Sequence, residues 1–437
     1  MAVLTTLALL LGVAYAWQLR LHGAWVADRL WQVRWPLLFL LGLAVWQSLQ
    51  QVPLPGAWLA ALSPEAWRVH TAAQSAYTLS LDPLQTQVHA ALTLAYALMF
   101  VMVVLAVSSQ ERLSRFAIAL VSLGVFQALL AIALYSVEAE YSLLFFDVLH
   151  DRTKGSFGYH NHFAGYMELC LSVGVGLMLA RMVANPERVR GWQGRAQATL
   201  AFLLSPNMLL RLMLVVMVIA LVLTRSRMGN AAFFTALLLT GLLALWVFKR
   251  ARTKLLVLVL SLVVVDLVVI GSWVGLERVV ERVQGTELLI EHGGTQESVE
   301  QRQLAALHAT HMVQDFAVFG TGAGSFASTF GRYQAPGDLF FDHAHNDYVQ
   351  WVAEHGLGGA LLVLGFVLST LVACAKVLKY RKSTPTRGVA LGASMAFVCL
   401  AIHSSVDFNL QLPANALTLV CIFAMAWAAK IAPSDRR

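Results

Sequence analysis

The chain has 437 residues, of which 58% are hydrophobic and 13% are charged, and its formal net charge at pH 7 is +7. With a mean hydropathy of +0.68, this composition excludes an ordinary water-soluble domain and indicates a polytopic α-helical membrane protein. Cationic loops facing anionic lipid headgroups explain the net charge, so it does not indicate nucleic-acid binding.

Apolar segments long enough to cross a bilayer recur along the chain. A span needs about 20 apolar residues, and on that basis the sequence predicts about eleven to twelve transmembrane helices. The predicted spans lie near 3–19, 36–52, 88–107, 116–137, 163–180, 207–224, 231–248, 255–275, 357–375, 388–405 and 416–430. The first span lacks a basic leader and a small-residue cleavage site, so we interpret it as a helix rather than a signal peptide.

The distribution of cations predicts the orientation of these helices. Most Lys and Arg residues lie on alternate loops and at the C-terminus, which the positive-inside rule assigns to the cytoplasm. The opposite, extracytoplasmic side then receives the remaining segments, 53–87, 138–162, 225–230, 276–356 and 406–415. These segments carry the polar clusters of interest.

Three regions follow from this layout. Residues 1–275 carry transmembrane helices with short loops, residues 276–356 form one large extracytoplasmic loop, and residues 357–437 carry the last transmembrane helices. The spacing of Leu304 and Leu307 within the large loop predicts helical structure lying against the membrane surface.

The cysteines do not indicate a disulfide framework or a thiolate metal site, because all of them lie inside predicted spans. They are Cys170, Cys374, Cys399 and Cys421.

The densest polar cluster is Asp342-His343-Ala344-His345-Asn346-Asp347-Tyr348. Ionisable groups packed so closely beside membrane segments are expensive, and they suggest chemistry at the membrane surface. A neutral imidazole can accept a hydroxyl proton near neutral pH, so His345 is the candidate base, with Asp342 or Asp347 to orient it. His343 and Asn346 are candidate supporting residues. Alternatively, both histidines bond backbone carbonyls in a polar turn.

A second H-x-H pair, His160 and His162, raises a metal site as a rival hypothesis. Two histidines without a third spaced ligand are a weak metal signal. We therefore predict no metal site and no cofactor, and retain His162 as a supporting residue.

Arginines near the same extracytoplasmic segments form a candidate anion clamp. Guanidinium groups stay charged and grip phosphate oxygens with two hydrogen bonds. Arg225 and Arg227 follow one span directly, and Arg302 lies in the large loop. Arg152, which precedes a glycine-rich segment, is a supporting residue that adds positive field. Alternatively, Arg225 reaches lipid headgroups and Arg302 is a solvated charge on a helix face. Together with the histidines, the arginines predict a site for an anionic, phosphorylated, lipid-borne substrate.

Several familiar motifs are missing from the outer segments. They contain no D-x-D pair, H-E-x-x-H, Walker sequence or G-x-S-x-G. The segment Gly320-Thr321-Gly322-Ala323-Gly324 lacks the βαβ context of a dinucleotide-binding fold. A donor activated by a lipid diphosphate, with arginines instead of a metal on the leaving group, fits these observations.

The chain resembles the O-antigen ligase and O-antigen polymerase superfamily of bacterial membrane glycosyltransferases. The resemblance lies in the Thr-x-Ser-Arg-x-Gly turn at 224–229, in Arg302 through Gly324, and in His343-Ala344-His345-Asn346-Asp347-Tyr348-Val349-Gln350. It continues through Glu354-His355-Gly356 and Val406-Asp407-Phe408. The chain departs from many relatives at Met228, where they have glycine.

The resemblance implies a GT-C-like fold in the bacterial inner membrane with a periplasmic active site. It implies a glycan donor linked through diphosphate to undecaprenol, with Arg227 and Arg302 binding the diphosphate and His345 as the base. We predict a ligase that transfers the glycan to lipid A-core. A polymerase joining lipid-linked repeat units, a lipid-linked glycan flippase and a non-catalytic assembly scaffold remain alternatives.

Overall fold

The computed structural model describes Gly12 and residues 23–137, 152–184, 206–248, 299–334 and 340–432. These residues contain helices and no β-strand. The prediction of an all-α polytopic membrane protein is therefore confirmed. The predicted spans 3–19 and 255–275 lie outside the described residues.

Fourteen α-helices and one 3₁₀ helix make up the described parts of the chain. In chain order they are α1 (Gly23–Gln32), α2 (Arg34–Leu49), α3 (Gly56–Leu62), α4 (Pro64–Ala73), α5 (Pro83–Ala106), α6 (Gln110–Ser136), α7 (His160–Ala184), α8 (Pro206–Leu223), α9 (Arg227–Val247), α10 (Val299–Asp315), α11 (Phe326–Phe330), α12 (Asp347–Tyr380), α13 (Thr384–His403), the 3₁₀ helix (Asn409–Gln411) and α14 (Pro413–Ile431).

Seven of these helices are long and apolar enough to cross a membrane, namely α5, α6, α7, α9, α12, α13 and α14. Each corresponds to a span predicted from the sequence. The predicted span 207–224 is the shorter apolar helix α8, and 36–52 corresponds to α2, which has 16 residues. Both are shorter than the roughly 20 residues that a perpendicular span requires.

The helices belong to two compact units. The first unit comprises residues 1–105, 290–372 and 404–411, and the second comprises 106–289, 373–403 and 412–437.

In the second unit, α7 and α13 approach each other through glycines. A Cβ atom on Gly176 would lie 2.3 Å from the carbonyl oxygen of Gly388, and one on Gly392 would lie 2.8 Å from the carbonyl oxygen of Ser172. Small residues let membrane helices pack backbone to backbone. This contact explains why α7 is the most buried candidate span, with 94% of its apolar window inside the protein.

Hydrogen bonds define one end of the second unit's helical bundle. Asn415 donates to the carbonyl oxygen of His162, and Thr153 N donates to that of Leu223. The starts of α7 and α14 therefore lie with the end of α8.

The opposite end of this bundle carries basic residues. Arg387 donates to the carbonyl oxygens of Leu378 and Val247, and Arg381 donates to that of Lys430. Cations satisfy the last carbonyls of helices and interact favourably with their dipoles. The H-x-H pair at 160–162 and these basic residues thus lie at opposite ends of the bundle.

In the first unit, a core of small and aromatic residues joins α3, α4, α10 and α11 to the loop before α12. Its members are Leu59, Ala66, Leu79, Ala305, Ala309, Met312, Phe316, Phe326, Phe330, Phe341, Ala344 and Ala353. Leu304 and Leu307, which the sequence placed against the membrane surface, are 49% and 57% exposed on the outer face of α10.

Gly356 divides α12 into a short segment ending at His355 and a long apolar segment. Its backbone has φ 62° and ψ −173°, a conformation that essentially only glycine adopts. The Gly320–Gly324 segment packs against the helix at this break, because Thr321 N and Gly322 N donate hydrogen bonds to the carbonyl oxygens of Ala353 and Glu354. Gly320–Gly324 is therefore a structural loop that binds the end of a helical segment.

Candidate functional site

The helical segment 347–355 is held at its start by Asn346 and Asp347. The Asn346 side-chain oxygen accepts hydrogen bonds from Tyr348 N and Val349 N, at 3.0 and 3.2 Å, which is the geometry of an N-cap. Its amide group donates to the carbonyl oxygen of Ser405. Asn346 therefore connects the start of α12 to the segment after α13.

The carboxylate of Asp347 lies in a set of hydrogen bonds from the 404–411 segment. It accepts from Ser404 Oγ at 2.6 Å, Leu410 N at 3.0 Å and Gln411 Nε2 at 3.5 Å. Asp347 is buried, so these partners replace the water that its polar side chain would otherwise contact. The side chain thus positions the 404–411 segment beside the histidines.

His345 is buried, with 4% of its surface exposed, and its backbone has φ 49°. Non-glycine residues in this left-handed region are uncommon and are concentrated at functional sites. The imidazole meets two aromatic rings edge to face, Phe408 at 5.0 Å and Phe341 at 5.9 Å between centroids. The loop therefore holds His345 in a strained conformation against an aromatic wall.

Gln350 and Glu354 form a buried polar network with the loop that carries His343 and His345. The amide oxygen of Gln350 accepts from Ala344 N at 3.1 Å, and its nitrogen donates to Glu354 at 3.0 Å. The Glu354 carboxylate also accepts from Gly324 N and Phe326 N. Fully satisfied buried networks fix one conformation, so Gln350 and Glu354 fix the backbone between the two histidines.

His343 lies at one end of this network, with its Nδ1 atom close to the Gln350 amide group. Burial lowers the pKa of His343, while Asp342 and Gln350 act in the opposite direction. The neighbouring His345 lowers this pKa further, and Asp407 raises it. Since the net effect is a lowered pKa, His343 is neutral in the neutral pH range.

Arg302 lies near the start of α10 on the side that faces the core of the first unit. It shares a helical stripe with Ala305, Ala309 and Met312, all buried in the core that also contains Ala344. The spacing of three and four residues puts these positions on one face. Arg302 is therefore half-buried on a helix that packs into the same core as the His343–His345 loop.

Arg225 and Arg227 flank a tightly hydrogen-bonded turn between α8 and α9 in the second unit. Ser226 N donates to Thr224 Oγ1, and Ser226 Oγ caps α9 by accepting from Gly229 N at 3.2 Å. Arg225 has φ 53°, and both arginine side chains are exposed. A helix N-terminus favours negative charge, so two guanidinium groups beside it form an anion-attracting surface.

Arg152 and the second H-x-H pair lie at the same end of the second unit. Arg152 approaches His160 Nε2 at 2.9 Å, and the ring of Tyr159 contacts both His160 and His162. Thr153 bonds to Leu223 and Ala220, which attaches this segment to the helix end that precedes Arg225. Among the residues that the structure describes, no three His, Cys, Asp or Glu side chains are grouped to hold a metal ion.

The structure thus groups the predicted site residues in two sets. His343, His345, Asn346 and Asp347 form one cluster in the first unit, which also contains Arg302, whereas Arg152, His162, Arg225 and Arg227 lie at one end of the second unit.

A family model described as O-Antigen ligase matches residues 212–364. The chain carries an O-antigen ligase domain. This domain includes Arg225, Arg227, Arg302 and the whole His343–Asp347 cluster, so the resemblance to the O-antigen ligase and polymerase superfamily is confirmed. No curated protein matches the chain.

Some residues of the two sets, and one residue in contact with them, lie outside the O-antigen ligase domain. Arg152 and His162 precede it, and Phe408 follows it, although Phe408 contacts the His345 ring. Members of this family are membrane glycosyltransferase-like enzymes that use lipid-linked glycans. The chain is accordingly a multi-pass membrane protein in which residues 212–364 match this family.

Several buried polar side chains near the two sets of residues had no role predicted from the sequence. Gln350 and Glu354 form the network below the histidines, and the paired Glu168 and His403 are fully buried in the second unit. An ionisable residue inside an apolar span is a functional signal by default. That signal was present for Glu168, within the predicted span 163–180, and for His403, within 388–405.

Proposed function

We propose that this protein is an O-antigen ligase. It transfers a glycan from undecaprenyl diphosphate to a sugar hydroxyl of lipid A-core at the periplasmic face of the bacterial inner membrane. The observation that carries the proposal is that His345 is buried and strained against Phe408. His345 lies inside the matched domain, which also contains the exposed arginines at the start of α9.

His345 acts as the general base in this proposal. One imidazole nitrogen accepts the proton of the acceptor hydroxyl while the oxygen attacks the anomeric carbon of the donor. The new bond joins the acceptor oxygen to that carbon, and the bond between the carbon and the phosphate oxygen breaks with inversion. Undecaprenyl diphosphate leaves with the electron pair of the broken bond.

Arg227 and Arg302 stabilise the negative charge that develops on the leaving diphosphate, and Arg225 contributes to the same field. Guanidinium groups suit this role because they stay charged and bind phosphate oxygens with two hydrogen bonds. The exposed side chains of Arg225 and Arg227 at a helix N-terminus support an anionic ligand there. The reaction requires no metal or other cofactor in this proposal.

The periplasmic orientation rests on the distribution of cations. The bundle end with Arg381, Arg387 and Lys430 corresponds to the cytoplasmic side under the positive-inside rule. The opposite end, with Arg152, His162 and Arg227, then faces the periplasm. Lipid-linked donor and lipid A-core acceptor both reach that side from the surrounding membrane.

A purified assay with lipid-diphosphate-linked glycan and lipid A-core tests the roles of the residues. Loss of a contact made in the transition state typically reduces the rate by on the order of 10²–10³. We expect this loss for His345→Ala, Arg227→Ala and Arg302→Ala. Arg68→Ala is the matched control, because Arg68 is exposed and forms an ion pair with Glu65 on the same helix. Near-normal turnover of His345→Ala contradicts the proposed base.

The same assay with a strong chelator tests the metal alternative at His160 and His162. Full activity after metal removal is the expected result, because the proposed mechanism uses only protein groups and the two substrates. Loss of activity that added metal restores contradicts the metal-independent mechanism.

The lipopolysaccharide gel profile of a strain deleted for this gene separates ligase from polymerase. Bare lipid A-core, with long glycan accumulating on undecaprenol, is the expected result for a ligase. Core carrying a single repeat unit identifies a polymerase instead. Glycan retained on the cytoplasmic side identifies a flippase, and complementation with His345→Ala shows whether the defect depends on the proposed base.

A further inference from the structure

Glu168 and His403 form a fully buried pair in the second unit. His403 Nδ1 lies 2.7 Å from Glu168 Oε1, and both side chains have 0% exposure. Glu168 is on α7 and His403 is the last residue of α13, both of which are candidate membrane spans. Buried ionisable groups in such spans are costly, so their presence calls for a functional reason.

Glu168 also lies directly beneath the turn that carries Arg227. A Cβ atom on Gly229 would lie 3.2 Å from Glu168 Oε1 and 2.9 Å from Ser226 Oγ and Ala164 Cβ. The carboxylate oxygen that meets His403 is therefore the one that approaches the first turn of α9. Glycine at position 229 lets the Ser226–Gly229 turn rest on α7 at this point.

Helix pairing alone does not account for the Glu168–His403 pair. α7 and α13 already approach backbone to backbone at Gly176, Gly388 and Gly392. A nonpolar contact at positions 168 and 403 would serve packing at a lower desolvation cost. A carboxylate beneath a helix N-terminus, by contrast, interacts favourably with the helix dipole.

We propose that Glu168 and His403 are positioning residues for the Arg227 guanidinium. His403 fixes the Glu168 carboxylate by a hydrogen bond, and the carboxylate fixes the Ser226–Gly229 turn from which Arg227 extends. This inference rests on the proposed function, in which Arg227 binds the donor diphosphate. Neither residue touches the substrate.

The test measures kcat/KM for the lipid-diphosphate donor with the full-length protein. We expect Glu168→Gln and His403→Asn each to lower kcat/KM about tenfold, a loss within the range of coupled neighbouring residues. In an Arg227→Ala background the same substitutions should have no further effect, because the group that they position is absent. Cys399→Ala is the control, since Cys399 is buried on α13 beside Ser172.

Gly229→Ala is a second variant that leaves the pair intact and crowds it from the opposite side. It should reproduce the loss of Glu168→Gln and should likewise have no further effect in the Arg227→Ala background. Losses that multiply with that of Arg227→Ala overturn the inference, because they indicate a general structural role.

The two proposals fail in different ways. Wild-type kcat/KM for Arg227→Ala overturns the diphosphate role and the positioning role together. An impaired Arg227→Ala variant with fully active Glu168→Gln and His403→Asn overturns only the positioning role.

Discussion

The imidazole of His343 stacks on the ring of Phe408, with centroids 4.1 Å apart and planes 20° from parallel. Phe408 also contacts the His345 ring edge to face, with centroids 5.0 Å apart. One aromatic ring thus contacts both histidines of the H-x-H motif. Phe408 belongs to the segment that Asp347 and Asn346 hold by hydrogen bonds, so its position depends on them.

Replacing Phe408 by leucine should reduce transferase activity while leaving the fold intact. Aromatic pairs contribute about 1 kcal/mol beyond their buried area, which corresponds to a loss of roughly fivefold to tenfold in kcat/KM. Phe408→Tyr keeps the ring and should retain most activity. The exposed neighbour Val406 provides the control Val406→Ala. Equal activities of the leucine and tyrosine variants would show that the ring is dispensable.

Gly356→Ala should destabilise the protein strongly. An added Cβ would lie 2.3 Å from the carbonyl oxygen of Val318, and the positive φ is itself unfavourable for alanine. We expect a loss of at least about 1–3 kcal/mol, measured as a lower thermal midpoint in detergent. Gly331→Ala is the matched control, because nothing lies within 4 Å of its added Cβ. Similar midpoints for the two variants would contradict the role of Gly356.

Thermal stability should fall on acidification because of His343. Its pKa in the folded protein is lowered from 6.5 by burial, so the unfolded chain binds this proton more readily. The associated stability is complete above pH 6.5 and is lost as the pH falls towards the folded-state pKa. His343→Gln should show a shallower decline of the thermal midpoint below pH 6.5, whereas the exposed-site control His311→Gln should follow the wild type. Parallel curves for all three proteins would refute this prediction.

Two substitutions at Asn346 separate its two hydrogen-bonding roles. Asn346→Ala removes both the N-cap and the bond to Ser405, and loss of the cap alone costs about 1 kcal/mol. Asn346→Asp keeps the capping oxygen and loses only the donor to Ser405. We therefore expect the aspartate variant to be more stable than alanine in a thermal melt, and both to lose activity. An aspartate variant as unstable as alanine would argue against the capping role.

Hydropathy and residue type predicted the helical class, most membrane spans and the family resemblance. The helical class and seven of the predicted spans are confirmed, because membrane spans are set by local apolar length. The family resemblance is confirmed by the match at residues 212–364. The break at Gly356 and the binding role of Gly320–Gly324 were not predicted. They depend on backbone contacts between segments over 30 residues apart, which no local pattern encodes.

The contrast is sharpest at the candidate site. The sequence by itself determined which chemical groups are present: the imidazole of His345, for which we propose the role of base, the guanidinium groups of Arg227 and Arg302, and a family resemblance that includes all three. Only the tertiary structure decided that Phe408 contacts both histidines and that Glu168 lies beneath Gly229, paired with His403. Residue identity is local information, whereas these contacts arise when distant segments fold against one another, since their partners are separated by tens to hundreds of residues.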